Sequence, residues 1–111
     1  MDISLLLSII IIHFISDFVF QNDFMAINKS KNAWVLMLHC IVYSIPFLVF
    51  GLEYAAIAGG LHFIVDFFTS KLTTYLWIKN ERHWFFVAVG FDQAIHMICL
   101  ILTADYIRLM F

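Results

Sequence analysis

The chain has little that suits water. Charged residues make up 13% of its 111 residues, about half the share a soluble domain carries. That scarcity excludes an ordinary soluble globular domain. The net charge is −2 and no basic cluster is present, which excludes nucleic acid as a partner because its phosphate backbone needs a run or patch of cations. Proline occurs once, at Pro46, and no linker, low-complexity segment or second domain is apparent. There are two cysteines, Cys40 and Cys99, both inside apolar runs. They are read as small buried hydrophobes and not as a disulfide. The N-terminus lacks the basic stretch of a cleavable signal, and its first apolar run is too long and carries His13 and Asp17. That run is expected to be a membrane span.

What is abundant is apolar surface. Hydrophobic residues make up 64% of the chain, 13 of them phenylalanine, and the mean hydropathy is +0.97. Crossing a bilayer takes about 20 mostly apolar residues in a helix. Four stretches qualify: Ile3–Gln21, Trp34–Phe50, Glu53–Tyr75 and Trp84–Thr103. The expected fold class is all-α, a single four-transmembrane-helix bundle over residues 1–111. The connections are a polar Asn22–Asn32 segment with amphipathic character, a tight Gly51–Tyr54 turn, and the charged Leu76–His83 loop. Lys29, Lys31, Lys71, Lys79 and Arg82 fall on the side of the first and third loops, and Arg108 on the other. The positive-inside rule makes those loops cytoplasmic and both termini external, in a bacterial inner membrane. Trp34, Trp77 and Trp84 lie at the same cytoplasmic ends, as an aromatic belt requires.

Against this apolar background one hexapeptide occurs almost twice. HFISDF at His13–Phe18 returns as HFIVDF at His62–Phe67. Both copies run in the same direction, which implies an internal duplication of a two-helix hairpin. His13 and Asp17 are four residues apart and share a helical face, as do His62 and Asp66. Asp92 and His96 repeat the spacing in reverse order on an oppositely directed helix. His39 shares its face with Tyr43, and Gln21 continues the stripe of Asp17. All seven His and Asp residues fall within about two helical turns of mid-membrane. Four polar stripes at one depth can be buried only against one another, so the bundle should have a polar centre.

That centre is costly. Three aspartates at membrane depth cost roughly 8–10 kcal/mol on insertion scales unless something compensates. A divalent metal would keep the carboxylates ionised and the imidazoles neutral, and a well-formed zinc site supplies on the order of 10–16 kcal/mol. Imidazole with carboxylate suits zinc foremost, and manganese or iron also. The candidate ligands are His13, Asp17, His62, Asp66, Asp92 and His96, with His39 either a ligand or a residue that orients one. Seven groups exceed the four that one tetrahedral zinc takes. The surplus would orient ligands or hold a second metal about 3.5–4 Å away. Bland readings suit other residues. Gln21 is a helix-end polar group, His83 faces solvent, Lys71 reaches for the headgroups, Pro46 kinks the second helix, and Gly59, Gly60 and Gly90 serve general packing.

The stretches HFISDFVFQNDFMAINKSK, GLHFIVDFFTSKL and FDQAIHMICL resemble, in that order, the small bacterial and phage membrane proteins of domain-of-unknown-function family 3307. The shared elements are His13, Asp17, Phe18, Gln21, Met25, Ala26, Asn28, Lys29, His39, Tyr43, His62, Asp66, Asp92, Gln93 and His96. The resemblance covers nearly the whole chain and implies a multi-pass membrane protein. A weaker likeness to membrane-bound metal-dependent hydrolases rests on their placing His and Asp within apolar helices.

Three functions follow as expectations. The first is metal-dependent hydrolysis of a lipid-like ester or phosphoester, with a metal-activated water as nucleophile and Asp92 or Asp66 as general base. The second is conduction of a proton or metal ion, for which so thin a bundle would form a homo-oligomer. The third is a non-enzymatic, phage-type module acting on a membrane partner through its exposed loops. Haem ligation by the histidines is disfavoured by the aspartate beside each repeated histidine.

Overall fold

The computed structural model describes residues 2–107; Arg108, the cation assigned to the external side, lies outside them. Every regular element among the described residues is helical. Helix α1 spans Ile3–Phe14 and passes into a π-helical turn over Ile15–Val19. A short helix α2 covers Asp23–Asn28. Helix α3 covers Ala33–Ser44 and tightens into a 3-10 segment at Ile45–Phe50. The long helices α4 and α5 cover Leu52–Ile78 and Arg82–Tyr106.

Local chemistry sets these boundaries. Asp2 caps α1 by accepting from the Ser4 amide at 3.1 Å. Asn22 and Asn32 do the same for α2 and α3, each at 2.9 Å. Such side-chain acceptors satisfy amides that lack an intrahelical partner. The expected disturbance at Pro46 takes the form of tightening. Pro46 has no N–H to offer the carbonyl four residues back, and the Ile45 amide bonds Val42 instead. Gly51, at φ +106°, joins this segment to α4, a conformation only glycine adopts at no cost. The turn is therefore shorter than Gly51–Tyr54. At the other end Asn80, at φ 63°, closes α4. The Asn80 amide bonds the Trp77 carbonyl at 3.1 Å, and the Glu81 amide reaches Leu76 at 2.9 Å. That is the Schellman arrangement. The charged loop expected over Leu76–His83 thus shrinks to Lys79–Glu81, and its ends belong to the helices.

Among the described residues three helices are long and apolar enough to cross a membrane: Ala33–Phe50, Leu52–Ile78 and Arg82–Tyr106. The segment Ile3–Val19 is apolar but shorter, and it ends before Gln21, the limit expected for the first span. Helix α4 is central, packed against α3 and α5. Its approach to α3 depends on Gly59. A Cβ there would lie 2.0 Å from the Ser44 hydroxyl, whereas one at Gly60 or Gly90 would meet nothing within 4 Å. Of these three glycines, Gly59 alone is required for close packing.

Burial is inverted relative to a soluble protein. Large apolar side chains such as Ile11, Phe14, Ile64, Phe68, Phe91 and Leu102 face outward. His13, Asp17, His39, His62, Asp66 and His96 are buried. Apolar burial is concentrated in the half of the bundle nearer Ile3 and Gly51, where Ile9, Tyr43, Phe47, Tyr54, Ala58 and Leu100 form one cluster. Within it the Tyr54 hydroxyl donates to the Leu100 carbonyl at 2.9 Å. The polar residues occupy the middle, and a cavity of about 220 Å³ opens from them toward the end carrying α2.

Candidate metal centre

The i, i+4 stripes read from the sequence meet. His13 and Asp17 come from α1 and its π-helical turn, His39 from α3, His62 and Asp66 from α4, and Asp92 and His96 from α5. The turn itself comes from the backbone: the Phe20 amide bonds Ile15, five residues back, at 2.9 Å. Such π turns recur at functional sites.

Four donors from these residues surround one point. The Nε2 atoms of His39 and His62 are 3.0 Å apart. Asp17 Oδ1 lies 3.2 Å from the first and 3.6 Å from the second. Asp66 Oδ2 lies 3.5 Å from the first and 3.2 Å from the second. All four residues can offer donor atoms within 4.8 Å of one another. Ligands around a tetrahedral zinc, with bonds near 2.0–2.1 Å, sit roughly 3.3 Å from each other. The spacings found bracket that value, so this buried His/Asp cluster can hold a metal ion. Packing orients the rings. His62 stacks between Tyr43, with centroids 3.8 Å apart, and His96, at 4.1 Å. The Nδ1 atoms of His39 and His62 have no hydrogen-bond partner, so the polar contacts of both rings are made through Nε2.

The remaining predicted residues surround this core. His96 Nε2 lies 3.1 Å from Asp66 Oδ1 and 3.0 Å from Asp92 Oδ1. Asp17, Asp92 and His96 form a second group with donor spacing suited to a cation. Asp92 accepts from the Thr69 hydroxyl and, at 3.1 Å, from the Gln93 amide. The two ring nitrogens of His13 are engaged elsewhere, with the Tyr43 hydroxyl at 2.9 Å and Gln93 Oε1 at 2.7 Å. Through Gln93, whose amide also donates to Asp17 at 3.2 Å, His13 holds α1 against α5.

The sequence reading missed the cation in this network. Lys29 Nζ lies 2.9 Å from Asp66 Oδ2, with 17% of the lysine side chain and 2% of the aspartate exposed. The loop is built to deliver it. Met25 is buried beneath α2, and Ser30 accepts from Thr74 at 2.9 Å and from Lys71 at 3.2 Å. Burial alone would lower the Lys29 pKa, but the Asp66 and Asp17 carboxylates outweigh it and hold the ammonium above its usual range. Lys71, expected among the headgroups, is exposed, bonds Ser30 and lies 4.3 Å from the Phe67 ring centroid. Gln21, taken as a helix-end residue, is half-buried and lines the cavity with its Oε1 unpartnered. Two residues carried a legible signal. Ser70 continues the His62–Asp66 stripe by another four residues, and Gln93 stands three before His96. Lys29 lies in a loop outside any periodicity.

With the imidazoles neutral, three carboxylates and one ammonium leave two negative charges at the centre, the charge one divalent cation would balance. A model of the family described as "Protein of unknown function (DUF3307)" matches residues 5–110 of the chain. No curated protein and no solved structure matches it.

Proposed function

The chain belongs to the family of proteins of unknown function DUF3307, and we propose that it is a four-span membrane protein whose His/Asp centre binds a divalent metal, foremost zinc, for hydrolysis of a lipid-like ester or phosphoester. The single observation that carries the reading is the spacing of His39, His62, Asp17 and Asp66, whose donors stand 3.0–3.6 Å apart across five of their six pairs. Ile3–Val19 serves as the fourth span. Its 17 residues cover about 26 Å at the rise of an α-helix, near the lower limit for crossing. Both copies of the hexapeptide bring an aspartate to the four-donor set and a histidine to the buried polar interior, which supports an origin of the two hairpins by duplication. The cavity mouth lies at the end that bears Lys29, Lys71, Lys79 and Arg82, which the positive-inside rule places at the cytoplasmic face.

A divalent cation held by Asp17, His39, His62 and Asp66 would supply Lewis acidity toward an ester or phosphoester. The protein's own groups do the rest. Asp66 and Asp17 fix the charge at the centre. Asp92 lines the cavity outside the four-donor set, where it can take a proton from water entering by the mouth. His96, at 3.0 Å, steadies the carboxylate. Gln93 and Thr69 orient it from two further sides. Conduction is less well supported. A pathway needs a second opening, and beyond His13 and Tyr43 the interior is closed by Ile9, Phe47, Tyr54 and Leu100.

The test is metal content together with turnover. Protein purified in detergent and loaded with zinc should retain about one ion per chain, and His39→Ala/His62→Ala should retain none. Asp92→Asn should keep the ion and lose hydrolysis of a panel of ester and phosphoester amphiphiles. Wild-type protein that fails to hold stoichiometric metal overturns the metal centre. Metal-loaded protein that hydrolyses nothing in the panel leaves binding without catalysis and favours a non-enzymatic membrane module.

A further inference from the structure

Lys29 occupies a position a ligated metal would contest. Its ammonium sits 2.9 Å from Asp66 Oδ2, one of the four oxygen and nitrogen donors of the centre. Two cations on one carboxylate oxygen repel each other, and the lysine has the flexible stem with which to yield. The space available to it is the adjoining cavity, which Lys29 itself lines. Two polar groups along that cavity stand without partners. Ser70 is 94% buried by its 6% exposure, it lines the cavity, and its hydroxyl has no partner. Gln21 also lines the cavity with its carboxamide oxygen likewise unpartnered; a half-turn of that amide presents two N–H donors. A buried hydroxyl without a partner costs free energy, and so does a buried ammonium parted from its carboxylate. One ligand would relieve both.

We infer that the cavity is a phosphate-group subsite, in which Lys29, Ser70 and Gln21 bind the phosphate of a phosphomonoester once a metal has taken Asp66. The inference rests on the metal-dependent reading above and narrows its substrate from esters in general to phosphate-bearing amphiphiles. Before metal binds, Asp17, Asp66 and Asp92 all face the cavity and repel an anion. After it binds, three carboxylates, one divalent cation and the Lys29 ammonium sum to zero, and the ammonium no longer has Asp66 to itself. Metal and phosphate therefore bind with positive linkage, each strengthening the other by the same factor.

The experiment titrates the full-length, detergent-solubilised protein with inorganic phosphate by calorimetry. It is done metal-free and after zinc loading and desalting, with zinc content measured throughout. A second arm uses nanodiscs of phosphatidylcholine with and without phosphatidic acid, read as retention of zinc against a chelator. Zinc-loaded protein should bind phosphate at least about tenfold more tightly than metal-free protein, the size of one charge-assisted hydrogen bond. Lys29→Gln should abolish that gain while Lys29→Arg keeps it. Ser70→Ala, which leaves the charges in place, should weaken phosphate binding about threefold to tenfold. Phosphate bound in the first arm alone identifies a free phosphate, and protection by phosphatidic acid alone identifies a lipid headgroup; either supports the subsite. Zinc that binds normally while neither arm responds overturns the subsite and leaves the metal centre standing. Failure to bind zinc overturns both. Equal phosphate affinity in wild type, Lys29→Gln and Ser70→Ala also refutes it.

Discussion

Replacing Lys29 by methionine should destabilise the metal-free protein far more than the metal-loaded one. The substitution keeps most of the apolar stem and removes the charge. Asp66 is 2% exposed and its nearest cation is the Lys29 ammonium, 2.9 Å away. Removing one partner of a buried pair costs about 3–5 kcal/mol, because the other charge stays buried without compensation. The lysine is 17% exposed, which places the expected loss at the lower end, about 3 kcal/mol. A metal at the centre supplies the compensating charge, so the loss should fall to about 1 kcal/mol or less with zinc present. Asp66→Asn removes the charge that Lys29 answers, and the double variant should recover about 2 kcal/mol relative to the sum of the single changes. Equilibrium unfolding in mixed micelles, followed by far-UV circular dichroism with and without zinc, measures all of these. A coupling below about 0.5 kcal/mol, or the same Lys29→Met loss in both metal states, refutes the argument that this ammonium stands in for a metal at Asp66.

Three further outcomes test the packing and the placement. Gly59→Ala sets a methyl 2.0 Å from the Ser44 hydroxyl and should cost about 1–3 kcal/mol by overpacking; adding Ser44→Ala should restore most of it in the same unfolding assay. Tyr43→Phe removes the hydroxyl 2.9 Å from His13 Nδ1 and should cost about 1 kcal/mol, with the Tyr43–His62 stacking kept; unchanged stability would show that this bond is worth nothing to the fold. In whole cells a membrane-impermeant thiol reagent should label Glu53→Cys and leave His83→Cys unlabelled until the membrane is opened, and the reverse pattern would invert the orientation.

The candidate centre was legible because helical periodicity is local. A histidine and an aspartate four residues apart share a face wherever a helix forms, and in an apolar chain such faces have only each other to turn to. By that reasoning the sequence alone puts His13, Asp17, His39, His62, Asp66, Asp92 and His96 together. It also supplied the helical class, because an isolated backbone at membrane depth must satisfy its own hydrogen bonds. Cys40 and Cys99, read as small buried hydrophobes, are both free thiols, but only Cys40 is buried and Cys99 is half-buried.

Other features depended on the tertiary structure. The two hexapeptides differ only at Ser16 and Val65, yet HFIVDF lies in a regular helix while HFISDF runs through a π turn, a difference that helical periodicity does not foretell. The roles within the polar set were equally hidden, because which nitrogen meets which oxygen is a matter of ångströms between helices. Thus His13 bonds Tyr43 and Gln93, while His39 and His62 face each other. Lys29 is the clearest case. Its charge counted in the sequence as one of five marking a membrane face, and only the fold of Asp23–Asn28, anchored by Met25 and Ser30, turns it inward to Asp66. Periodicity is a property of one helix and is written in its residues. The meeting of a loop cation with a carboxylate 37 residues away is a property of how separate elements pack, and no local pattern encodes it.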